Sequence, residues 1–397
     1  MADKIIYHDP LVELLELRNQ LSYSRRIGCL FGAGTSKALG VPDVESLTLS
    51  VENKIKADLK PKFQSLKKSL IDSKKYSRVT VEELLNQVRL IRQITFGDKT
   101  KTFDGINGEE AKNLDLEICD GIYDILIEEE GKVDLSVPKK FCAWLNWLNR
   151  DFSKEIFTIN YDLILERSLE ALQIPYFDGF IGSNEPFFLP ESLDFDSRYD
   201  SPPNSWLRLW KLHGSLGWFW KASEDGKSYK VLRLGVSAKK NLPDQELVIY
   251  PSREKYESSR KQPFIAYFDR LKAFLQNGEG LFLISGYSFS DEHINAVIFD
   301  SLKQNNRLHI IGFFYEDKYL EELKKIGLSF MNFSAFSPKK AIIKGLEGEW
   351  KLAKNEGILT DFWDVDKKEL LLGDFAQLVK FLLLASGKQE KIEKAGT

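Results

Sequence analysis

A short apolar run that leads directly into a glycine-rich turn is the feature of this chain that most constrains its fold. Residues Ile27–Phe31 are apolar or small, and Gly32-Ala33-Gly34-Thr35-Ser36 follows them without a break. This order is typical of a strand-to-helix turn that binds a phosphate. The first glycine permits a tight turn, and the second lets backbone N–H groups approach a pyrophosphate at the helix N-terminus. Many such turns bind nothing, and Lys37 stands where the general dinucleotide pattern has its third glycine.

Four further apolar runs follow along the chain and are separated by helical patterns. This alternation predicts a largely parallel sheet with helices on both faces, an α/β fold. Ligands of such sheets bind beyond the carboxyl ends of the strands. The four predicted strands are 156–159, 206–212, 281–285 and 308–314.

Three polar motifs stand at or just after these predicted strands. They are Thr158-Ile159-Asn160-Tyr161-Asp162, His213-Gly214-Ser215 and Gly286-Tyr287-Ser288. Together with the first turn and its continuation, Gly40-Val41-Pro42-Asp43, the ordered set resembles the sirtuins over roughly residues 27–315. The resemblance implies a sirtuin-like, Rossmann-type fold that binds NAD as a substrate.

The resemblance also assigns roles to individual residues. It implies that Asn160 lies under the nicotinamide ribose and that His213 is the catalytic base. An amide offers two donors and an acceptor to ribose hydroxyls or water, and a histidine titrates near neutral pH, so both residue types suit these roles. The NAD-binding residues that it implies are Gly32, Ala33, Gly34, Thr35, Ser36, Asp43, Asp162, Gly286 and Ser288.

Some of these residues also have purely structural interpretations. Asp43 follows a proline and is typical of a turn, whereas Asp162 could cap the helix that follows it. His213 could be a satisfied structural histidine after an apolar strand. Ser290 and Asp291 together indicate the N-cap of another helix.

The chain departs from the sirtuin deacylases where those enzymes bind an acylated peptide. Val44-Glu45 replaces their Phe-Arg, while Ile159 and Tyr161 replace a Gln and an Ile. The three cysteines form no Cys-x-x-Cys pair, so we expect no zinc ribbon and no metal site. The kept nucleotide motifs resemble the sirtuin-like NAD hydrolases of bacterial antiviral defence, in which water replaces the acyl-lysine oxygen.

This resemblance implies an NAD glycohydrolase that forms nicotinamide and ADP-ribose and depletes NAD in abortive infection. A deacylase or ADP-ribosyltransferase is the first alternative, and a non-catalytic NAD-binding assembly subunit is the second. By analogy with the same group, we expect a homo-oligomer controlled by a HerA-type hexameric translocase ATPase.

Composition and patterning set the remaining expectations. The formal net charge is −3, which gives no basic field for direct nucleic-acid binding. No segment reaches the roughly 20 apolar residues of a membrane span and the N-terminus does not read as a secretory signal, so we expect a cytoplasmic protein. Residues 1–315 are predicted to form the catalytic domain with a helical insertion at about 46–150. Residues 316–397 are predicted to be an α/β extension packed on it, with a disordered tail.

Overall fold

The structure is a computed structural model that describes residues 6–73, 79–193, 202–222, 229–235, 247–249, 262–354 and 357–387. The α-helices of this part of the chain are Pro10–Tyr23 (α1), Ala33–Lys37 (α2), Val44–Lys54 (α3), Lys60–Asp72 (α4), Val81–Thr95 (α5), Gly108–Gly131 (α6), Ser136–Trp147 (α7), Ile164–Ala171 (α8), Phe264–Gln276 (α9), Glu292–Gln304 (α10), Asp317–Gly327 (α11) and Phe375–Ala385 (α12). The strands are Tyr7–His8 (β1), Ile27–Phe31 (β2), Thr102–Phe103 (β3), Ile106–Asn107 (β4), Glu155–Thr158 (β5), Tyr176–Phe177 (β6), Phe180–Ile181 (β7), Phe187–Phe188 (β8), Leu207–Lys211 (β9), Gly214–Ala222 (β10), Tyr229–Arg233 (β11), Leu247–Ile249 (β12), Gly280–Ser285 (β13), Leu308–Phe313 (β14), Phe333–Phe336 (β15), Lys340–Ile343 (β16), Leu346–Trp350 (β17), Trp363–Asp364 (β18) and Glu369–Leu370 (β19).

The main sheet has ten strands in the order β1-β17-β16-β15-β14-β13-β2-β5-β9-β6. Every pair from β6 to β15 is parallel, and β16 and β17 continue the sheet in antiparallel fashion. This arrangement confirms the predicted α/β fold with a mostly parallel sheet. All five strands predicted from apolar runs lie in it, and each end differs by at most one residue from its prediction.

Strand β2 lies at the point where the chain changes direction across the sheet. It pairs with β5 on one side and with β13 on the other, so Phe31 lies opposite both Thr158 and Ser285. The chain first builds outward through β5 and β9, and later builds the opposite half through β13 and β14. In open parallel sheets, such a switch point leaves a crevice beyond the strand ends.

Helices cover both faces of the sheet, which is why its central strands are apolar throughout. All residues of β2 and of β13 are buried, as expected for parallel strands packed on two sides. On one face the Phe31 ring contacts Phe141 of α7 and Phe375 of α12, with centroids 4.8 and 5.4 Å away. On the other face α9 and α10 contribute a separate apolar cluster that includes Tyr267 and Ile298.

Helices α3 to α6 form a third apolar cluster, which also includes residues of β10 and β12. Val51, Val88 and Ile118 are fully buried there. The N-terminus of α5 has the capping box expected from its sequence, in which the Glu83 carboxylate accepts from the Thr80 N–H at 2.7 Å. Helix α7 packs instead with the main sheet, through Phe141 and neighbouring residues.

A second sheet combines three strands that follow His213 with two short strands, β7 and β8, that precede it. Its five strands run in the antiparallel order β12-β10-β11-β8-β7. No cluster of three or more potential metal-ligating side chains occurs among the described residues. Nor does any described helix combine the length and apolar character needed to cross a membrane. The predicted disordered tail falls on residues 388–397, which lie outside the described residues.

Candidate functional site

A cleft of about 2270 Å³ lies beyond the carboxyl ends of the central strands. All four predicted motifs contribute to its lining, which places most of the predicted site residues in one cavity. Gly32 and Thr35 are not among its lining residues. Of the predicted site residues, the cleft is lined by Ala33, Gly34, Ser36, Asp43, Asn160, Asp162, His213, Gly286 and Ser288.

The glycines of the first and last motifs bring two loops into direct backbone contact. Gly34 N–H donates to the Gly286 carbonyl at 2.9 Å, and Gly32 N–H donates to the Ser285 carbonyl at 3.0 Å. A Cβ added to Gly34 would lie 2.7 Å from the Cα of Gly286, closer than real Cβ contacts. Gly286 also has a φ of +66°, which favours glycine. The sequence predicts that Gly34 lets the backbone approach a pyrophosphate; in the structure, Gly34 also lets its loop approach the loop of Gly286.

Asn160 is held at the base of the cleft by a short hydrogen-bond chain. Its Nδ2 donates to Ser36 Oγ at 2.8 Å, and that hydroxyl donates to Asp162 Oδ2 at 2.6 Å. The same Nδ2 lies 3.2 Å from the Gly32 carbonyl, an obligate acceptor, which fixes the orientation of the amide. Asn160 Oδ1 therefore faces away from these acceptors. It is buried and has no hydrogen-bond partner among the described residues.

The Asp162 carboxylate contacts both the start of the helix that follows it and the Ser36 side chain. Its Oδ1 accepts from the Ile164 N–H at 3.2 Å at the start of α8, and its Oδ2 accepts from Ser36. The side chain is buried. Asp162 therefore orients Ser36, and through it Asn160.

A buried ion pair supports the loop that carries Asn160 and Asp162. The Lys211 ammonium donates to the backbone carbonyls of Tyr161 and Asp162 and lies 2.9 Å from Glu166 Oε1. Burial raises the pKa of Glu166 to about 7, although the charge of Lys211 opposes that rise. Because Lys211, the last residue of β9, binds the carbonyls of the two residues beyond Asn160, it helps to hold the loop that carries Asn160.

His213 lies two residues after the end of β9 and is paired with a carboxylate from across the cleft. Its Nε2 lies 2.9 Å from Asp291 Oδ2, while Asp291 Oδ1 accepts from the His293 and Ile294 N–H groups as the N-cap of α10. Burial alone would raise the pKa of Asp291, but the hydrogen bond from His213 and the backbone N–H groups lower it to about 2. The carboxylate is thus held ionised and orients the imidazole.

Asp43 and Ser288, two of the predicted NAD-binding residues, line the cleft away from the hydrogen-bond chain of Asn160. Asp43 is the N-cap of α3, accepts from the Ser46 N–H at 2.9 Å, and lies 2.7 Å from the Lys37 ammonium. The hydrogen bonds from Lys37 and Ser46 lower the pKa of Asp43 to about 2. Ser288 contacts the hydroxyl of Ser290 at 3.0 Å. Both are polar groups that line the cleft without joining the Asn160 chain.

Two carboxylates of the site were not recognised from the sequence. Asp291 was correctly predicted as a helix N-cap, but its second oxygen, the partner of His213, gave no sequence signal. Glu82 lies within a capping-box pattern, so its position suggested only a helix start. In the structure it lines the cleft, and its Oε1 accepts from the Tyr161 hydroxyl at 2.8 Å.

Comparison with known proteins supports a sirtuin-like assignment for the central part of the chain. A family model described as "SIR2-like domain" matches residues 154–331. This segment contains Asn160, His213 and Asp291 and begins well after the Gly32–Ser36 turn. A search of curated proteins finds no match.

Solved structures of sirtuins are similar to the chain only at low identity. A Sir2 homologue mutant in complex with 2′-O-acetyl ADP ribose aligns with a TM-score of 0.45 and 11% identity, covering 95% of this chain and 97% of that one. A Sir2 homologue in complex with NAD aligns with a TM-score of 0.42 and 12% identity, covering 94% and 96%. Sir2Tm bound to a propionylated peptide aligns with a TM-score of 0.40 and 11% identity, covering 95% and 99%. The family match, rather than these alignments, supports a sirtuin-like α/β fold in which residues 154–331 are similar to a SIR2-like domain.

Proposed function

We propose that this chain is an NAD glycohydrolase that cleaves NAD to nicotinamide and ADP-ribose. The observation that carries the proposal is the hydrogen bonding of the Asn160 side-chain amide. Its Nδ2 is committed to protein acceptors, while its buried Oδ1 has no partner among the described residues, in the same cleft as His213. A buried acceptor without a donor is costly, so this oxygen suits a hydroxyl of a bound ribose.

Cleavage of NAD requires no general acid, but it requires precise positioning of the ribose and of the attacking water. The nicotinamide of NAD carries a positive charge and leaves as a neutral molecule, so its departure needs no general acid. The enzyme must hold the ribose, stabilise the developing positive charge at C1′, and direct water to that carbon. Asn160 is suited to hold the ribose, and the ionised Asp291, paired with His213, adds negative charge to the cleft.

Two features that differ from the peptide-binding elements of the deacylases favour hydrolysis over deacylation. Tyr161 stands where the deacylases have an isoleucine, and its hydroxyl binds Glu82 inside the cleft. The chain contains no Cys-x-x-Cys pair for a zinc module, and the segment after His213 instead contributes β10, β11 and β12 to an antiparallel sheet. These features support water, rather than an acyl-lysine oxygen, as the nucleophile.

The biological setting follows from the same resemblance. We propose that the hydrolase acts in the cytoplasm in antiviral defence, where depletion of NAD aborts infection. A freely active enzyme would harm its own host, so we propose control through homo-oligomerisation and docking to a HerA-type hexameric ATPase. Mass photometry of the chain alone, and with a neighbour-encoded ATPase, tests this part separately. A monomer that is indifferent to the ATPase would contradict it.

The reaction itself is tested by incubating purified protein with NAD and resolving the products by liquid chromatography and mass spectrometry. We expect equimolar nicotinamide and ADP-ribose without any acceptor, and no product from Asn160→Ala. Strict dependence on an acylated peptide would instead indicate a deacylase, and ADP-ribose attached to protein would indicate a transferase. NAD binding without turnover, with and without the ATPase, would indicate a non-catalytic subunit.

A further inference from the structure

Glu82 is an ionisable group of the cleft that comes from the helical insertion rather than from the sheet. It is the second residue of α5, and its Oε1 accepts from the Tyr161 hydroxyl at 2.8 Å. Tyr161 directly follows Asn160, and both line the same cleft as His213. The hydrogen bond therefore ties the N-terminus of α5 to the loop that holds the ribose-binding amide.

The surroundings of Glu82 favour a carboxyl group that can take up a proton. Burial raises the pKa of Glu82, and the nearby His213 and the Tyr161 hydroxyl offset only part of that rise. The negative charges of Glu83 and Asp291 act in the same direction as burial. A carboxylate whose pKa is raised above its ordinary value is a more effective base than an ordinary surface glutamate.

His213, the other candidate base of the cleft, shares one ring nitrogen with a carboxylate. Its Nε2 lies 2.9 Å from Asp291 Oδ2, an interaction that fixes the ring. Glu82 Oε1 has the Tyr161 hydroxyl as its hydrogen-bond donor, and a carboxylate has lone pairs for further donors. Glu82 is therefore a carboxylate of the cleft, held by the residue that follows Asn160, and its remaining acceptor capacity suits a water molecule.

We propose that Glu82 is the general base of the hydrolysis, which accepts a proton from the attacking water. This inference rests on the proposed function. As the C1′–N bond of NAD breaks, its electron pair leaves with the now neutral nicotinamide, and the water oxygen bonds to C1′. The proton lost by that water goes to the Glu82 carboxylate, and it returns to solvent after ADP-ribose is formed. In this assignment Tyr161 is a positioning residue that holds Glu82 through its hydroxyl.

The test compares Glu82→Gln and Glu82→Ala with the wild type, with Glu109→Gln as a matched control. Glu109 is likewise the second residue of its helix, α6, but it is exposed and does not line the cleft. We expect both Glu82 variants to lower kcat by ~10²–10⁴-fold, as for the loss of a positioned acid–base group. NAD affinity, measured by calorimetry, should be nearly unchanged, and Glu109→Gln should behave as the wild type.

Azide distinguishes a base from a residue that merely supports the site. Azide is an anion and needs no proton removal, so Glu82→Ala should form the azido analogue of ADP-ribose when sodium azide is added. Loss of both hydrolysis and azide transfer, with NAD binding intact, would overturn the assignment, as would a Glu82→Gln variant of wild-type rate. Wild-type protein that never hydrolyses NAD would overturn the proposed function as well.

Tyr161→Phe provides a second variant should the Glu82 variants fold poorly. It leaves the carboxylate in place but removes the hydrogen bond that lowers its pKa. We therefore expect the acid limb of the kcat–pH profile to move to higher pH. An unchanged profile in a folded Tyr161→Phe protein would overturn the role of Glu82.

Discussion

His213 and Asp291 are joined by a contact of 2.9 Å between Nε2 and Oδ2, although 77 residues separate them in sequence. The contact links the carboxyl end of β9 to the first turn of α10. Asp291 serves two purposes there, because one oxygen caps the helix and the other holds the imidazole. These purposes can be separated experimentally.

Asp291→Asn should lower NAD turnover while leaving the fold intact. Asparagine caps helices about as well as aspartate, so α10 should keep its N-cap, whereas His213 loses a charged partner. A hydrogen bond to a charged group contributes about 1.5–3 kcal/mol, so we expect turnover to fall by roughly 10–100-fold. Asp9→Asn, the equivalent change at the N-cap of α1, is the control and should retain full activity. Normal turnover in Asp291→Asn would show that Asp291 is only a helix cap.

Gly34→Ala should weaken both the fold and NAD binding, because its methyl group would lie 2.7 Å from the Gly286 Cα. Overpacking of this kind typically costs about 1–3 kcal/mol of stability, since one of the two loops must move. Gly131→Ala is the control, because nothing lies within 4 Å of the Cβ position there. Thermal unfolding and calorimetric titration with NAD measure both effects. Equal behaviour of the two variants would contradict the close loop contact.

Ser36→Ala should reduce turnover by breaking the chain between Asn160 and Asp162. The hydroxyl accepts from one residue and donates to the other, so its loss leaves the Asp162 carboxylate and the Asn160 amide without a shared partner. A hydrogen bond to a charged group contributes about 1.5–3 kcal/mol, which corresponds to roughly 10–100-fold in rate. Ser168→Ala is the control, since that buried hydroxyl donates only to a carbonyl of its own helix. An unaltered rate in Ser36→Ala would mean that Asn160 is oriented without it.

Glu166 should make the stability of the protein depend on pH near neutrality. Its pKa is raised to about 7 in the folded state, above the ordinary value of 4.5 for an unfolded chain. Between these two values the folded state binds one more proton than the unfolded state, so stability should fall as the pH rises from about 4.5 to 7. Glu166→Gln cannot titrate and should lose this contribution. Melting temperatures measured across this range test the sign, and identical pH profiles would contradict it.

The local sequence was sufficient for the sheet and for placing nine of the eleven predicted site residues in the lining of the cleft. Strands such as β2 and β13 are buried on both faces, so they read as unbroken apolar runs. Parallel strands place their carboxyl ends at one edge, so polar motifs that follow such runs must converge there. This is why Asn160 and His213 could be placed in one cleft before the fold was known.

The interactions that orient these residues depended on contacts between distant segments. The pairing of Asp291 with His213 and the approach of Glu82 to Tyr161 depend on where α10 and α5 pack, which no local pattern encodes. A glycine likewise indicates that another group approaches the backbone closely, but it does not indicate which group. The contact of Gly34 with Gly286 therefore could not be predicted from the sequence. The sequence by itself determined the α/β architecture and the edge at which a site forms, because apolar periodicity is local. Only the tertiary structure decided which carboxylates face His213 and Asn160, because those distances are set by packing between elements far apart in the chain.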